Sequence, residues 1–209
     1  MMLTSTQEIG SLTQQGADSN LLPALIRRLS VINPSESASS DASYDKMEDN
    51  STAFEQSLIS SFFVSADVAH SVNPNYAAKY EADHRPEMNK GTVIKINANA
   101  RYATNSPGIA LMQEVASRAG VVELPNAKAR SGGVPLQLFV VRNDSPCGGT
   151  IGPMTAAKLG VRTLDLGNPI LSMHSIRETG GSYDVAHGIS LFESFYRNYN
   201  ELESKIIVD

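Results

Sequence analysis

Apolar residues along this chain follow two patterns that predict an alternation of strands and helices. Short continuous apolar runs, typical of buried strands, occupy residues 61–67, 92–98, 135–141 and 161–167. Apolar residues three and four positions apart, with helix start and stop signals, predict helices at residues 17–32, 52–59, 105–120 and 153–160, and near the C-terminal end. This alternation predicts an α/β fold with a mixed, largely parallel sheet sandwiched between helices.

Two further features of the pattern predict an apolar docking stripe on the last helix and an exposed acidic loop. The last predicted helix carries an apolar docking stripe with alternating spacings of four and three, formed by Val185, Ile189, Phe192, Tyr196 and Tyr199. Residues 34–51 are rich in Ser, Asp and Glu and nearly lack aliphatic side chains. Because such a segment cannot offset its ordering entropy by burial, we predict a solvated, mobile acidic loop there.

Composition narrows the class of protein. The 209 residues, 41% of them hydrophobic, suffice for one domain with its own core. A net charge of -5 without a Lys/Arg cluster argues against nucleic-acid binding, and no apolar run has the length of a membrane helix. The chain has a single Cys, and its first residues lack the parts of a secretory signal. We therefore expect a cytoplasmic protein, with the vacuole left open.

Two polar residues that follow apolar runs are candidate metal ligands. Asp67 lies in SADVAHSVNPNY (residues 65–76) and His174 lies in LSMHSIRET (residues 171–179). An isolated Asp at a strand end is more often a turn former, and an isolated His more often an ordinary hydrogen-bonded side chain. A carboxylate and an imidazole presented from strand ends are also what a catalytic zinc site uses.

The segments around these residues resemble the aspartyl aminopeptidases, a family of two-zinc exopeptidases. Three more segments carry the resemblance: EIGSLTQQGADSNLLPALIRR (residues 8–28), HRPEMNKGTVIKINANARYATN (residues 84–105) and VVRNDSPCGGTIGP (residues 140–153). The resemblance implies the fold of zinc-dependent exopeptidases and the release of N-terminal Asp or Glu from peptides. It also implies two zinc ions per site and a homo-oligomer in the complete form. Residues 1–209 would be the C-terminal part of such a catalytic domain.

By motif match, Asp67, His174 and Glu8 resemble three of the five metal-ligand positions of the family. Gln7 stands where the family has the Glu that acts as general base on the metal-bound water. An amide cannot accept a proton at neutral pH, so Gln7 would at best orient water. The family's His-x-Asp pair and its bridging Asp have no counterpart in the sequence as it stands. We therefore expect weakened paired zinc binding.

Three residues match family positions that contact substrate: His70, Lys95 and Tyr102. The Lys95 ammonium would pair with the side-chain carboxylate of an acidic N-terminal residue. The Tyr102 phenol would donate a hydrogen bond to the tetrahedral oxyanion. The remaining histidines, His84 and His187, are interpreted as structural or exposed.

The glycine-rich turn at residues 145–153 is interpreted as a tight strand-to-helix connection, since no Lys follows its glycines as in a phosphate loop. Its Cys147 is interpreted as a structural thiol. Two functions stay open: an aminopeptidase, and a truncated, non-catalytic subunit that associates with full-length homologues. A single-zinc hydrolase built from the remaining ligands is a third interpretation.

Overall fold

The computed structural model describes residues 10–30, 52–120 and 132–205. Its helices are α1 (Leu21–Ser30), α2 (Ala53–Ile59), α3 (Ser106–Arg118), α4 (Ile151–Leu159) and α5 (Ser182–Glu203), with a 3-10 helix at Pro74–Lys79. Its strands are β1 (Phe62–Ala66), β2 (Ala69–His70), β3 (Thr92–Ile96), β4 (Leu136–Val140), β5 (Arg162–Gly167), β6 (Pro169–Leu171) and β7 (Thr179–Gly180). All four predicted strands are confirmed, with ends displaced by no more than about two residues, as is usual for boundaries.

The strands form two mixed sheets. The larger has the order β1-β5-β3-β4, and the smaller has the order β2-β6-β7. Strand β3 runs parallel to β4 from the pair Thr92–Leu136 onward, and antiparallel to β5 at the pair Val93–Gly167. In the smaller sheet β2 runs parallel to β6, and β6 is antiparallel to β7. The predicted α/β class with a mixed sheet is therefore confirmed.

Contacts divide the chain into two compact units, Met1–Phe63 with Met154–Arg162, and Val64–Pro153 with Thr163–Asp209. In the first unit, α1 and α2 meet where the Arg27 guanidinium lies 4.0 Å from the ring centroid of Phe54. The predicted start of α1 at residue 17 is wrong, because the preceding chain forms tight turns. A Cβ at Gly16 would lie 2.2 Å from the carbonyl oxygen of Ser11, and the Asp18 N–H donates to that oxygen. The predicted acidic loop at residues 34–51 lies outside the described residues.

The second unit has its core between β3, β5, α3 and α5. Side chains that are almost fully buried there are Val93, Ile94, Leu111, Met112, Val115, Leu164, Leu166 and Leu191. Helix α5 turns a face with polar members inward, since Ser194 Oγ donates a 2.7 Å hydrogen bond to the carbonyl oxygen of Val115. Of the predicted docking stripe, Val185, Ile189 and Tyr196 are exposed. The helix therefore packs on its own core with a different face from the one that the apolar spacing suggested.

Candidate functional site

Asp67 follows β1 directly, and the close approach of β5 fixes its position. The Asp67 N–H donates a 2.9 Å hydrogen bond to the Leu166 carbonyl oxygen. A Cβ at Gly167 would lie 1.3 Å from the Asp67 carbonyl oxygen, so only glycine allows the two strands to come this close. The carboxylate of Asp67 is partly accessible, with 22% of the side chain exposed.

Lys95 is a buried cation inside the larger sheet. It lies in β3 opposite Phe139 of β4, and only 2% of the residue is exposed. Its Nζ lies 3.4 Å from Asp67 Oδ2 and 5.6 Å from the ring centroid of Tyr102. Burial lowers the pKa of Lys95, and the negative charges of Asp67 and Asp165 act in the opposite direction. The sheet therefore holds an ammonium group with little water around it next to a carboxylate.

Tyr102 completes this buried group from the loop after β3. The Cys147 Sγ lies 3.5 Å from the Tyr102 Oη, within the distance of a thiol hydrogen bond. Burial, followed by the contact with Cys147, raises the pKa of Tyr102 far above its usual range. The phenol is therefore protonated at neutral pH and remains a hydrogen-bond donor.

His70 connects the remaining candidates. It forms β2 with Ala69, and its ring meets the Phe139 ring edge-on at a centroid distance of 6.4 Å. Burial lowers the pKa of His70, as do the positive charges of Lys95 and then His174, while Asp67 raises it. The electrostatic influence of Asp67, Lys95 and His174 thus converges on one imidazole. The sequence-predicted residues from three separate segments therefore lie in the same region.

His174 reaches this region from a loop. Because β2 and β6 are parallel, the chain after His70 and the chain after Leu171 leave the sheet at the same edge. The residue is exposed and has a left-handed backbone, with φ of 64°. Its N–H donates a 2.6 Å hydrogen bond to Glu178 Oε1. Parallel pairing thus explains why a His more than 100 residues after His70 lies close enough to influence its imidazole.

The donor set only partly fits zinc. Asp67 and His174 offer the oxygen and nitrogen ligands that zinc accepts, but a zinc site takes at least three protein ligands. Glu8 and Gln7 lie outside the described residues. Within residues 10–30, 52–120 and 132–205, no three His, Cys, Asp or Glu side chains form a group that could hold a metal ion. The described residues alone do not make a zinc site, and no chemical step is assigned to a metal here.

Sequence reasoning missed two buried carboxylates. Asp165 lies in β5 and is 0% exposed, and Asp184 lies in the first turn of α5 and is 1% exposed. Asp184 accepts hydrogen bonds from the N–H groups of Asn89 and Gly91. For Asp165 a signal was available, since it stands in the middle of the apolar run TLDLG, where a carboxylate must be buried with partners.

Comparison with known proteins identifies the family. The family model described as "Aminopeptidase I zinc metalloprotease (M18)" matches residues 1–196. The chain therefore belongs to the M18 family of aminopeptidases.

The curated relatives agree with this assignment. The aspartyl aminopeptidase of Aspergillus oryzae is 65% identical over 203 residues, which are 97% of this chain and 38% of that protein. Aspartyl aminopeptidase 4 of Saccharomyces cerevisiae is 52% identical over 97% of this chain and 37% of its own length. The chain thus spans little more than a third of the curated relatives it matches.

Solved structures share the fold. The cryo-EM structure of the Ape4 and Nbr1 complex matches 97% of this chain and 33% of its own chain, with 49% identity and a TM-score of 0.78. The dodecamer of S. cerevisiae mApe1 matches 95% of this chain and 38% of its own, with 35% identity and a TM-score of 0.69. None of the helices in the described part of the chain is long and apolar enough to cross a membrane.

Proposed function

We propose that this chain supplies the acidic-residue recognition surface, and part of the metal site, of an aminopeptidase that releases N-terminal Asp or Glu from peptides. The observation that carries the proposal is the buried ammonium of Lys95, held between the Asp67 carboxylate and the Tyr102 ring. The M18 family and the names of the relatives support it.

Lys95 would select the substrate. A buried ammonium interacts with a carboxylate more strongly than an exposed one does, because little water screens the two charges. The side-chain carboxylate of an N-terminal Asp or Glu would therefore gain most from approaching Lys95 Nζ. A neutral first residue would leave this interaction unmade, which is the basis of the proposed selectivity.

Tyr102 and His70 would act on the peptide itself. The protonated phenol of Tyr102 would donate a hydrogen bond to the oxygen on which negative charge develops during attack on the first peptide carbonyl. With its pKa lowered by burial and by neighbouring positive charges, the imidazole of His70 stays neutral at pH 7. A neutral imidazole both donates and accepts, so it would orient the substrate without adding a further positive charge.

We also propose that Asp67, His174 and Glu8 are zinc ligands that this chain contributes to a site completed by other donors. Gln7 stays a prediction as the residue at the general-base position. The dodecameric neighbour supports a homo-oligomer for the complete protein. The cytoplasm is proposed as the compartment, with the vacuole left open, because composition does not separate the two.

The recognition proposal is tested by dipeptide binding to the purified chain. We expect Lys95→Met to weaken binding of Asp-Ala at least about tenfold and that of Leu-Ala less than about twofold, measured by calorimetry, since a charge-assisted contact contributes roughly 1.5–3 kcal/mol. Lys79→Met is the matched control, because Lys79 lies 4.8 Å from the ring centroid of Tyr76 and is exposed. Equal losses for both dipeptides would remove Lys95 as the selector.

Catalysis is tested separately with an aspartyl chromogenic amide and added zinc. Turnover by this chain would establish it as an enzyme by itself. Turnover only by a version extended to the length of the relatives would assign the missing activity to residues beyond this chain. In that case, co-purification of the unextended chain with a full-length homologue would support the alternative role as a non-catalytic subunit.

A further inference from the structure

Asp165 is a fully buried carboxylate to which the proposed function gives no role. Its Oδ2 accepts a 2.6 Å hydrogen bond from the Ala103 N–H, and its Oδ1 accepts a 2.6 Å bond from Thr150 Oγ1. One carboxylate therefore joins two segments that both carry residues of the site. Tyr102 directly precedes Ala103, and Cys147 lies three residues before Thr150.

The backbone at Asp165 is tied to the same loop. Thr104 Oγ1 lies 3.2 Å from the Asp165 nitrogen and 3.4 Å from its carbonyl oxygen, so one hydroxyl serves both backbone groups. Strand β5 pairs with β3 at residues 166 and 167, and beyond those pairs the loop with Tyr102 takes the position beside β5. The loop is thus held to the sheet through Asp165.

The carboxylate has no room to move. A Cβ at Gly152 would lie 2.1 Å from Asp165 Oδ2 and 2.7 Å from Oδ1, so the first turn of α4 closes directly over it. The Gly152 N–H also donates to Thr150 Oγ1 at 3.3 Å, which fixes the hydroxyl that Asp165 binds. Buried carboxylates with two short hydrogen bonds are strongly held in one orientation.

We propose that Asp165 is a positioning residue that holds the phenol of Tyr102 beside Cys147 and Lys95. It acts through Ala103, Thr104 and Thr150 and does not itself touch the substrate. The proposal rests on the proposed function only in that Tyr102 is taken to contact the peptide. The negative charge of Asp165 also supports this role. It raises the pKa of Lys95 and of Tyr102, and so favours the charged ammonium and the protonated phenol.

The test compares Asp165→Asn with Asp184→Asn. Both residues are buried carboxylates of the second unit, and both accept two short hydrogen bonds. Those of Asp184 come from Asn89 and Gly91, before β3, whereas the Tyr102 loop follows β3. Both variants should lose stability, so stability alone does not distinguish them. Readouts at the Tyr102 loop and at the Cys147 turn that contacts it do distinguish them.

Two readouts report on the Tyr102 loop and on its contact with Cys147 without any assay of activity. Cys147 is the only cysteine of the chain, so its reaction with an aromatic disulfide reagent reports on one site. Hydrogen exchange of the Ala103 N–H, followed by NMR, reports on the hydrogen bond itself. In Asp165→Asn we expect Ala103 exchange about tenfold faster and the thiol reaction several-fold faster, because a neutral amide accepts more weakly than a carboxylate. In Asp184→Asn both rates should stay within about twofold of wild type.

Thr150→Val and Thr150→Ser form a second pair should Asp165→Asn fail to fold. The valine variant lacks the donor to Asp165 Oδ1 and should speed the thiol reaction, whereas the serine variant keeps the hydroxyl and should not. Unchanged rates in Asp165→Asn, or equal changes in Asp184→Asn, would overturn the proposal. So would a thiol reaction that Thr150→Val leaves at the wild-type rate.

Asp-Ala binding then tests whether Asp165 acts through Tyr102. Asp165→Asn should weaken binding in the wild-type background and have little further effect in Tyr102→Phe; independent, additive losses would contradict positioning. If the wild-type chain does not bind Asp-Ala, the proposed function falls. The thiol and exchange rates alone then decide whether Asp165 holds the loop.

Discussion

The surrounding structure holds the candidate residues in two different ways. The sheet holds Asp67, Lys95 and Tyr102, whereas His174 lies on an exposed loop. Lys95 lies within β3, Asp67 follows β1, and Tyr102 lies on a loop that is hydrogen-bonded to β5. His174 is exposed on the loop after β6, where residues 172 and 174 have left-handed backbones. That loop is braced by bonds among its own residues, such as Ser175 N–H to Ser172 O at 3.0 Å.

The difference teaches which part of the site the second unit preforms. The sheet already excludes water from Lys95, so the desolvation of this side chain is part of folding and not of ligand binding. An exposed loop with left-handed residues has a lower local stability than a buried strand. The ion pair of Lys95 and Asp67 is therefore built into the sheet, whereas the geometry of His174 depends on a less stable segment.

The largest expected effect comes from the close approach of Gly167 to the backbone of Asp67. Gly167→Ala should destabilise the fold by roughly 3 kcal/mol or more, because its Cβ would overlap the Asp67 carbonyl oxygen and force the strands apart. Urea unfolding measures the loss. Gly148→Ala, where a Cβ meets nothing within 4 Å, is the control and should change stability by less than about 0.5 kcal/mol. Similar values for the two variants would show that the sheet does not fix Asp67.

A smaller effect of opposite sign is expected in the loop. Ser172→Gly should stabilise the protein by roughly 0.5 kcal/mol, because glycine adopts a φ of 60° without strain. Ser175→Gly in the same loop should destabilise it, because the Ser175 Oγ accepts a hydrogen bond from the Arg177 N–H. Thermal unfolding measures both. A loss of stability in Ser172→Gly would contradict the assigned strain.

The smallest effect is a change in the pKa of the His70 imidazole. The direction of that change tests whether His174, on its loop, lies near the residues held by the sheet. The His70 imidazole, followed by NMR without added metal, should titrate below 6.5. Lys95→Met should raise the pKa of His70, because a repelling charge is removed, and Asp67→Asn should lower it further. His174→Ala should raise it less than Lys95→Met does. No response to His174→Ala would separate His174 from the other three residues.

The same titration has a consequence for stability. Because the folded pKa of His70 lies below the unfolded value, the unfolded chain binds this proton more readily. Its contribution to stability is therefore present above about pH 6.5 and is lost as the pH falls through the folded pKa. Lys95→Met should raise the folded pKa of His70 toward the unfolded value. The difference between the urea midpoints at neutral and at acidic pH should therefore be smaller in this variant than in the wild type.

Local sequence patterns were sufficient to locate the long strands, but not to predict the shortest strands or the face by which helix α5 packs. The four apolar runs became β1, β3, β4 and β5 because burying a continuous apolar segment favours a strand wherever it lies. The two-residue strands β2 and β7 were missed because so short a segment has no period of its own. The docking face of α5 was mistaken because its buried side contains Asp184, His187 and Ser194, which polarity alone assigns to solvent.

For the site, motif resemblance picked out Asp67, His70, Lys95, Tyr102 and His174, and the structure gathers these residues around His70. Their roles toward metal and substrate stay predictions, as do those of Glu8 and Gln7. The contact between Cys147 and Tyr102 and the bond from Ala103 to Asp165 were not foreseen. Such contacts join residues far apart in sequence, so no local pattern encodes them.

By itself the sequence determined the α/β class, the strand positions and the residue types available for chemistry, because desolvation of apolar side chains acts on each segment locally. Only the tertiary structure decided that Lys95 meets Asp67 from 28 positions away and that β5 lies beside β3. It also decided that a carboxylate within β5 holds the loop of Tyr102. The physical reason is that a buried charge must find partners, and which partners are within reach depends on the order in which strands pair.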